Sequence, residues 1–312
     1  MFSRILTQKY TENCSAQIER LQYALKQVDA IVIGAGSGLS TAAGFTYGGE
    51  RFQKYFKDFE KIYAFHDMYS GVFYPYQTQE EYWGYFSRLI YINRYMMPPV
   101  PLYESLLEAV NGKDYFVLTT NVDHCFQRAG FEKSRLFYTQ GDYGLIQCAK
   151  PCHSMTYDNR DMILEMLQAE DFLEKSGGGF TITEASRWTL TVPKDLVPRC
   201  PVCGGPITMN LRGDETFVED AGWHLAADRY AHFVEHHAKS NVLFLELGVG
   251  MNTPGIIKYP FWRMTAQFPH ATYICVNFGQ AAVPREIQNK SICLNEKLET
   301  VIKWLGGIKP VS

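Results

Sequence analysis

Four short apolar runs, each stopped by glycine or a polar side chain, constrain this chain most. Ala30-Ile31-Val32-Ile33 runs into Gly34-Ala35-Gly36-Ser37-Gly38, and residues 115–119 run into Thr120-Asn121-Val122-Asp123. Residues 242–247 run into Gly248-Val249-Gly250, and residues 271–276 into Asn277-Phe278-Gly279. An apolar run without alternation is the pattern of a strand buried on both faces, and such strands belong to parallel sheets. The fold class predicted is therefore α/β, with a parallel sheet and helices on both faces. Ligands of such sheets bind outside the carboxyl ends of the strands, so the residues that stop each run are the candidate site. Residues 292–294 predict a last strand before a helix over 295–305. Ile18, Leu21, Leu25 and Val28 share one face of a helix ending before Asp29, and Ser40 to Ala43 are expected to open another.

Two stretches depart from this pattern. Residues 50–103 are crowded with Tyr, Phe and Trp and end at Pro98-Pro99-Val100-Pro101, which reads as a helical insertion with an apolar inner face. Residues 140–225 carry paired cysteines and Gly177-Gly178-Gly179, and read as a second insertion. The sheet is left with residues 11–49, 104–139 and 226–312, all within one domain over 1–312.

Consecutive glycines after a strand let the backbone approach a diphosphate at a helix start. The strict G-x-G-x-x-G pattern fails, because Leu39 and Thr41 stand at its third position, and no Lys-Ser/Thr follows as in a P-loop. Taken alone, the turn fits either a nucleotide site or close strand-to-helix packing.

Cys148-Ala-Lys-Pro-Cys152 and Cys200-Pro-Val-Cys203-Gly-Gly form two short-spaced pairs. Four thiolates complete a tetrahedral Zn²⁺ shell with no open position, which predicts a structural zinc on Cys148, Cys152, Cys200 and Cys203. His153 is an alternative donor. Cys14, Cys125, Cys275 and Cys293 fall in helix or strand contexts and are expected to pack. The N-terminal residues lack the apolar core of a signal peptide, and no uncharged apolar run is long enough to span a bilayer. A cytoplasmic protein with no membrane partner is expected. Net charge is −3 and the sequence pI about 6.3, which gives no electrostatic basis for binding nucleic acid.

Read in order, the motifs resemble those of the sirtuins. Residues 36–44, Gly-Ser-Gly-Leu-Ser-Thr-Ala-Ala-Gly, are similar to G-A-G-I-S-x-x-[SA]-G, and residues 120–130 to Q-N-I-D-x-L-H-x-x-A-G. The paired cysteines stand where sirtuins carry a zinc ribbon. Gly248-Val-Gly-Met-Asn-Thr resembles their G-T-S-x-x-V, and Val276-Asn277 their later I-N. The resemblance implies a Rossmann-like large domain, a small lobe made of a helical module and a zinc ribbon, and NAD in the cleft between them. It implies NAD contacts from Ala35, Gly36, Ser37, Gly38 and Ser40, and from Phe45, Thr46 and Tyr47. Further contacts are implied from Thr120, Asn121, Val122 and Asp123, from Gln140, from Gly248, Gly250, Asn252 and Thr253, and from Asn277 and Phe278. Asn121, Asp123 and Gln140 are the implied catalytic residues, Asn121 orienting ribose and nucleophile and Asp123 holding the nicotinamide carboxamide.

The departures from the deacylase pattern matter as much. I-P-D-F-R is replaced by Phe45-Thr46-Tyr47-Gly48-Gly49, so the Phe-Arg pair is absent. Thr120 replaces a glutamine, and Gln140 stands where the H-G dipeptide places the catalytic histidine. The peptide-pairing F-G-E segment is not recognisable at Arg212-Gly213-Asp214-Glu215. This pattern resembles the macrodomain-linked, or class M, sirtuins, which implies protein mono-ADP-ribosyl transfer to a lipoyl-carrier protein related to the glycine cleavage H protein. It also implies a macrodomain hydrolase that reverses the modification. The chemistry agrees. Deacylation needs a base for a ribose hydroxyl, which imidazole supplies and a carboxamide does not. Competing readings are a lysine deacylase using His124 or a water network, and a silent NAD- or ADP-ribose-binding module. His224, His236 and His237 are read as solvated or packing residues on a helix.

Overall fold

The computed structural model describes Ile5–Leu6, residues 14–251 and residues 253–306, with side chains from residue 17 onward. The chain divides into two compact units. One comprises Met1–Gly44, Pro98–Gln140 and Ala221–Ser312, and the other Phe45–Met97 and Gly141–Asp220. These borders lie a few residues from those expected, and backbone bonds explain why. Val100 N–H donates to Ala43 O at 3.2 Å, which ties the proline segment to the first unit. Met68 N–H donates to Tyr47 O at 2.8 Å, which ties residues after Gly44 to the second.

The first unit is built on a six-stranded sheet. Its order is Ser291–Leu294, Thr272–Val276, Val242–Leu247, Ala30–Ala35, Asp114–Thr119, Leu136–Tyr138, with every neighbouring pair parallel. Successive side chains alternate between faces. Val32, Phe116, Phe244, Tyr273 and Cys275 share a core with Trp223, Tyr230 and Phe233 of helix Ala221–His236 and with Phe261 of helix Lys258–Gln267. Ile31, Ile33, Val117, Leu243 and Leu245 point to the other face, where helices Cys14–Gln27, Leu102–Ala109 and Leu298–Leu305 pack together. Burial of one such aliphatic side chain contributes about 1.5–3 kcal/mol. The helix after the glycine turn starts at Ser37, three residues before the expected Ser40, and the last helix starts at Leu298, not Asn295. Gly34 is a packing glycine: a Cβ there would lie 2.4 Å from Ile257 and 2.5 Å from Phe261. Cys275 and Cys293 are buried as expected, whereas the side chain of Cys14 lies outside the described residues.

The second unit joins a helical module to a small antiparallel sheet. Helices Gly49–Tyr63, Met68–Val72 and Gln79–Ile90 enclose Phe52, Phe56, Phe59, Trp83 and Tyr85, all almost fully buried. Much of the aromatic crowding of residues 50–103 is therefore helix core, up to the Pro98 border, whereas Tyr69 and Phe73 are exposed. Thr78 and Glu81 form a reciprocal capping box that starts the third of these helices. The sheet order is Tyr157–Asp158, Gly141–Cys148, Ile207–Leu211. Arg88 is fully buried. Its guanidinium donates to both Asp58 carboxylate oxygens at 2.8 Å and stands 4.8–5.8 Å from the rings of Phe56, Phe59, Phe172 and Trp188. No helix among the described residues is long and apolar enough to cross a membrane.

Candidate active site

All six strands run the same way, so their carboxyl ends share one edge. The chain leaves strand Ala30–Ala35 for Asp114–Thr119 on one side and later returns to Val242–Leu247 on the other. That reversal beside Ala30–Ala35 is the switch point at which open α/β sheets bind ligands. The two glycine segments meet there by backbone alone. Gly36 N–H donates to Leu247 O and Gly38 N–H to Gly248 O, each at 3.0 Å. A Cβ on Gly36 would sit 2.7 Å from Gly248 O, a Cβ on Gly38 2.8 Å from Gly248 Cα, and Gly248 itself has a φ of +62°. Close packing alone therefore requires these glycines, and it leaves a side-chain-free surface at the strand ends.

Next to them a connected polar group is buried. Thr119 Oγ1 donates to Ala35 O at 3.0 Å and accepts from Asn121 N–H at 3.0 Å, which turns the chain sharply after its strand. Asn121 Nδ2 donates to Gly36 O at 3.0 Å and to the Tyr103 hydroxyl at 3.3 Å. Tyr103 bonds Ser40 Oγ at 3.1 Å, and Ser40 Oγ donates to Asp123 Oδ2 at 2.5 Å. Asp123 Oδ1 accepts from Cys125 N–H at 3.0 Å. Asn121 and Asp123 are 8% and 6% exposed, so neither is an ordinary solvated turn former. Burial first, then the Asp123 carboxylate, pushes the Tyr103 hydroxyl well above its ordinary pKa and keeps it protonated. Burial likewise pushes up the Cys125 thiol, an inert packing residue as expected.

Gln140 follows strand Leu136–Tyr138. Thr139 holds it in place: its N–H and Oγ1 both donate to Thr119 O, at 2.9 and 3.2 Å, and its carbonyl accepts from Trp223 Nε1 at 3.2 Å. The Gln140 side chain is half-buried, with no hydrogen bond to it among the described residues. Asn277 Nδ2 donates to Val249 O at 2.8 Å and so fixes the loop after Val242–Leu247. Phe278, Ser37 and Thr253 are exposed, Thr120, Val122 and Gly250 are half-buried, and Asn252 lies outside the described residues. His124, the base of the competing deacylase reading, is a half-buried helix-start residue with a left-handed φ of 65°. His224 and His236 are exposed, and His237 is buried with Nε2 3.1 Å from Asp114.

Phe45, Thr46 and Tyr47 belong to the second unit. Tyr47 and Tyr143 share a hydroxyl bond at 2.7 Å. The Arg51 guanidinium lies 4.8 Å over the ring of Phe45 and donates to Thr46 O at 3.1 Å and Asn93 Oδ1 at 2.8 Å. Phe45 and Arg51 thus meet across six positions of the chain. Tyr103 and Arg51 bond to candidate site residues without belonging to any of the motifs.

The cysteine pairs come together as expected. Zn–S bonds of about 2.3 Å set tetrahedral sulfurs about 3.8 Å apart. Cys148 and Cys203 Sγ are 3.7 Å apart, as are Cys152 and Cys200 Sγ, and all four lie within 4.8 Å of one another. Gly205 N–H faces Cys203 Sγ at 3.4 Å, and Gly204 takes a φ of +71° that favours glycine. The Cys200 thiol is pulled down to about 6, first by the Cys203 backbone N–H. These donors fit zinc. His153 stays beside them, Nδ1 3.1 Å from Cys152 Sγ and Nε2 2.7 Å from the Tyr157 hydroxyl.

A parallel sheet whose strand order reverses beside glycine and amide residues, in a chain that also brings four cysteine thiols together, is the arrangement of the sirtuin fold. Solved Sir2 structures share it. A Sir2 variant with a peptide and NAD matches with a TM-score of 0.54 at 16% identity, over 94% of this chain and 99% of that one. No family model matches the chain. A protein ADP-ribosyltransferase from Staphylococcus aureus is 39% identical over 287 residues, covering 92% of this chain and 86% of that protein. The chain belongs to the sirtuin-type protein ADP-ribosyltransferases. A probable bifunctional ADP-ribose hydrolase/ADP-ribosyltransferase from Fusarium oxysporum f. sp. cubense is 28% identical over 248 residues, and the match spans 38% of its length.

Proposed function

We propose that this NAD-dependent enzyme moves ADP-ribose from NAD to a lipoyl-carrier protein, in the cytoplasm, and that a macrodomain hydrolase reverses the modification. The observation that carries the transferase reading is Gln140. At the end of strand Leu136–Tyr138 the chain offers a carboxamide with free hydrogen-bonding atoms and no basicity near neutral pH. Transfer needs only that the ribose C1′–nicotinamide bond breaks, nicotinamide leaving with the electron pair, and that an acceptor nucleophile bonds C1′ and gives up its proton. Asn121 orients the ribose and acceptor, Asp123 supports the nicotinamide amide, and Gln140 holds ribose hydroxyls. The glycine edge at Gly36, Gly38 and Gly248 takes the diphosphate, with Ala35, Thr120, Val122, Asn277 and the neighbouring loop residues around the nucleotide. Cys148, Cys152, Cys200 and Cys203 hold a structural zinc. A reversing hydrolase is supported by the name of the fungal relative, which joins an ADP-ribose hydrolase to an ADP-ribosyltransferase.

The Arg51–Phe45 contact favours a second reading, lysine deacylation, because it supplies in space a pair that deacylases carry in sequence. Mass separates the two. Incubation with labelled NAD and lysate, with and without lipoylation, should add ADP-ribose to a lipoylated band. Loss of an acyl group from acetyl- or lipoyl-lysine peptides, with no added mass, overturns the transferase reading.

A further inference from the structure

We infer that Tyr103 is a positioning residue that couples the Asn121 amide to the Asp123 carboxylate and leaves Asn121 Oδ1 as that amide's free acceptor. The role of Asn121 itself rests on the function proposed above. The protons of the buried group have one consistent arrangement. Gly36 O is a carbonyl and can only accept, so the Asn121 atom 3.0 Å away is Nδ2. At the far end, the Asp123 carboxylate accepts from Cys125 N–H through Oδ1 and from Ser40 Oγ through Oδ2. Ser40 has then spent its proton, so its oxygen accepts from the Tyr103 hydroxyl. Tyr103 has spent its own in turn, so its oxygen accepts the second N–H of Asn121. The two ends fix the amide independently and agree. Each donor is used once along Asn121, Tyr103, Ser40 and Asp123, and no hydrogen bond reaches Asn121 Oδ1 among the described residues.

Burial makes this arrangement binding. Tyr103 is fully buried, with its ring edge-on to Phe126 at 4.9 Å, so no water can replace a lost partner cheaply. The sign of the group presented also matters. A carbonyl oxygen favours the positive charge that develops on the ribose carbon and can accept from a nucleophile's hydroxyl. A reversed amide would present N–H donors, which oppose that charge.

The test is a double-mutant cycle on the full chain, with nicotinamide release from NAD as the assay. Tyr103→Phe keeps the ring on Phe126 and removes only the hydroxyl. It should lower kcat about threefold to tenfold, the effect of one hydrogen bond, and leave KM for NAD within about twofold. In an Asn121→Ala background the same change should cost less than about twofold, since Tyr103 acts through the amide it holds. An undiminished effect in that background, a change in KM alone, or no effect overturns the inference. A second measurement does not depend on activity. With the asparagine side chains labelled at nitrogen, the Asn121 amide protons should exchange slowly in wild type and faster in Tyr103→Phe, both measured well below the Tm of either protein. Fast exchange in wild type would show that the relay is not closed. A wild type that releases no nicotinamide but protects this amide would defeat the proposed function and leave the relay standing.

Discussion

The carboxyl edge of the parallel sheet and the interior of the second unit both bury polar side chains, but they complete the hydrogen bonding differently. At the sheet edge every proton from Asn121 to Asp123 has an acceptor, and one carbonyl oxygen remains free. In the second unit Arg88 Nε and Glu170 Oε2 are buried without partners, although Ser87 donates to Glu170 Oε1 at 2.9 Å. The first arrangement is fully bonded and presents one group. The second carries an unmet electrostatic demand, so its stability is exposed to pH and to loss of its other supports. The molecule thus sets a fully hydrogen-bonded edge in one unit against aromatic packing and a cysteine cluster that fits zinc in the other.

The largest test of that contrast is metal removal. Zinc ligation free energy in small domains is folding free energy, on the order of 10 kcal/mol. Chelation, or Cys203→Ser, should strip amide protection from Gly141–Cys148 and Ile207–Leu211, which the cysteines join, and spare Ala30–Ala35 and Val242–Leu247. Hydrogen exchange read by mass spectrometry checks this. Equal loss in both units would mean that the sheet depends on the cluster as well.

Glu170 gives the next effect. Burial first pushes its carboxyl up to about 8 from 4.5, against the lowering by Arg88 and Ser87. Between those values the native state keeps a proton that the unfolded chain has released, so unfolding is favoured as pH rises through the window. Stability should fall by as much as about 1.4 kcal/mol per pH unit across it. Glu170→Gln mimics the protonated form and should flatten the slope, gaining a few kcal/mol at pH 8 and nothing at pH 4. Denaturant titrations of both proteins at several pH values would reveal parallel slopes if the carboxyl is not the source.

Function at the sheet edge should be less costly to lose than metal. Asn121→Ala should reduce transfer about tenfold to a thousandfold, the range for one positioned polar group, with an unchanged fold. Near-normal turnover would move the site elsewhere.

The same contrast explains what could be read from sequence. Strands at the sheet declare themselves through local runs such as Val242–Leu247, and the residues that stop them lie one or two positions away. Close-spaced cysteines are local too. By contrast, Tyr103 meets Asn121 across eighteen positions and Ser40 across sixty-three, and no spacing rule links them. Arg51 reaches Phe45 only because helix Gly49–Tyr63 folds back toward that ring. Glu246 was legible as a strand residue, but its buried partners Lys258 and Tyr273 were not, since they come from a helix and a neighbouring strand. Gly34 shows the reverse case, a motif glycine whose first demand is packing against Ile257 and Phe261.

Gln140 should give the smallest effect and discriminate most finely. If its amide only holds ribose hydroxyls, Gln140→Ala loses hydrogen bonds worth about 0.5–1.5 kcal/mol each, a threefold to tenfold fall in transfer per bond. Gln140→His restores a titratable base at the same strand end. It should still not make an efficient deacylase. Arg51 over Phe45 answers one of the two objections raised by sequence, but the peptide-pairing segment remains unrecognisable where Arg212 turns onto Glu219 and Asp214 onto Thr216. Without it an acyl-lysine is not held in line for attack, and misplacement of that kind alone can cost about a hundredfold. Mass spectrometry of acetyl- and lipoyl-lysine peptides with NAD, for wild type and Gln140→His, decides the matter. Robust deacylation by the histidine variant alone would show that the base was the missing part and peptide pairing was not. Robust deacylation by wild type would show that a carboxamide suffices, and the transferase reading would fall.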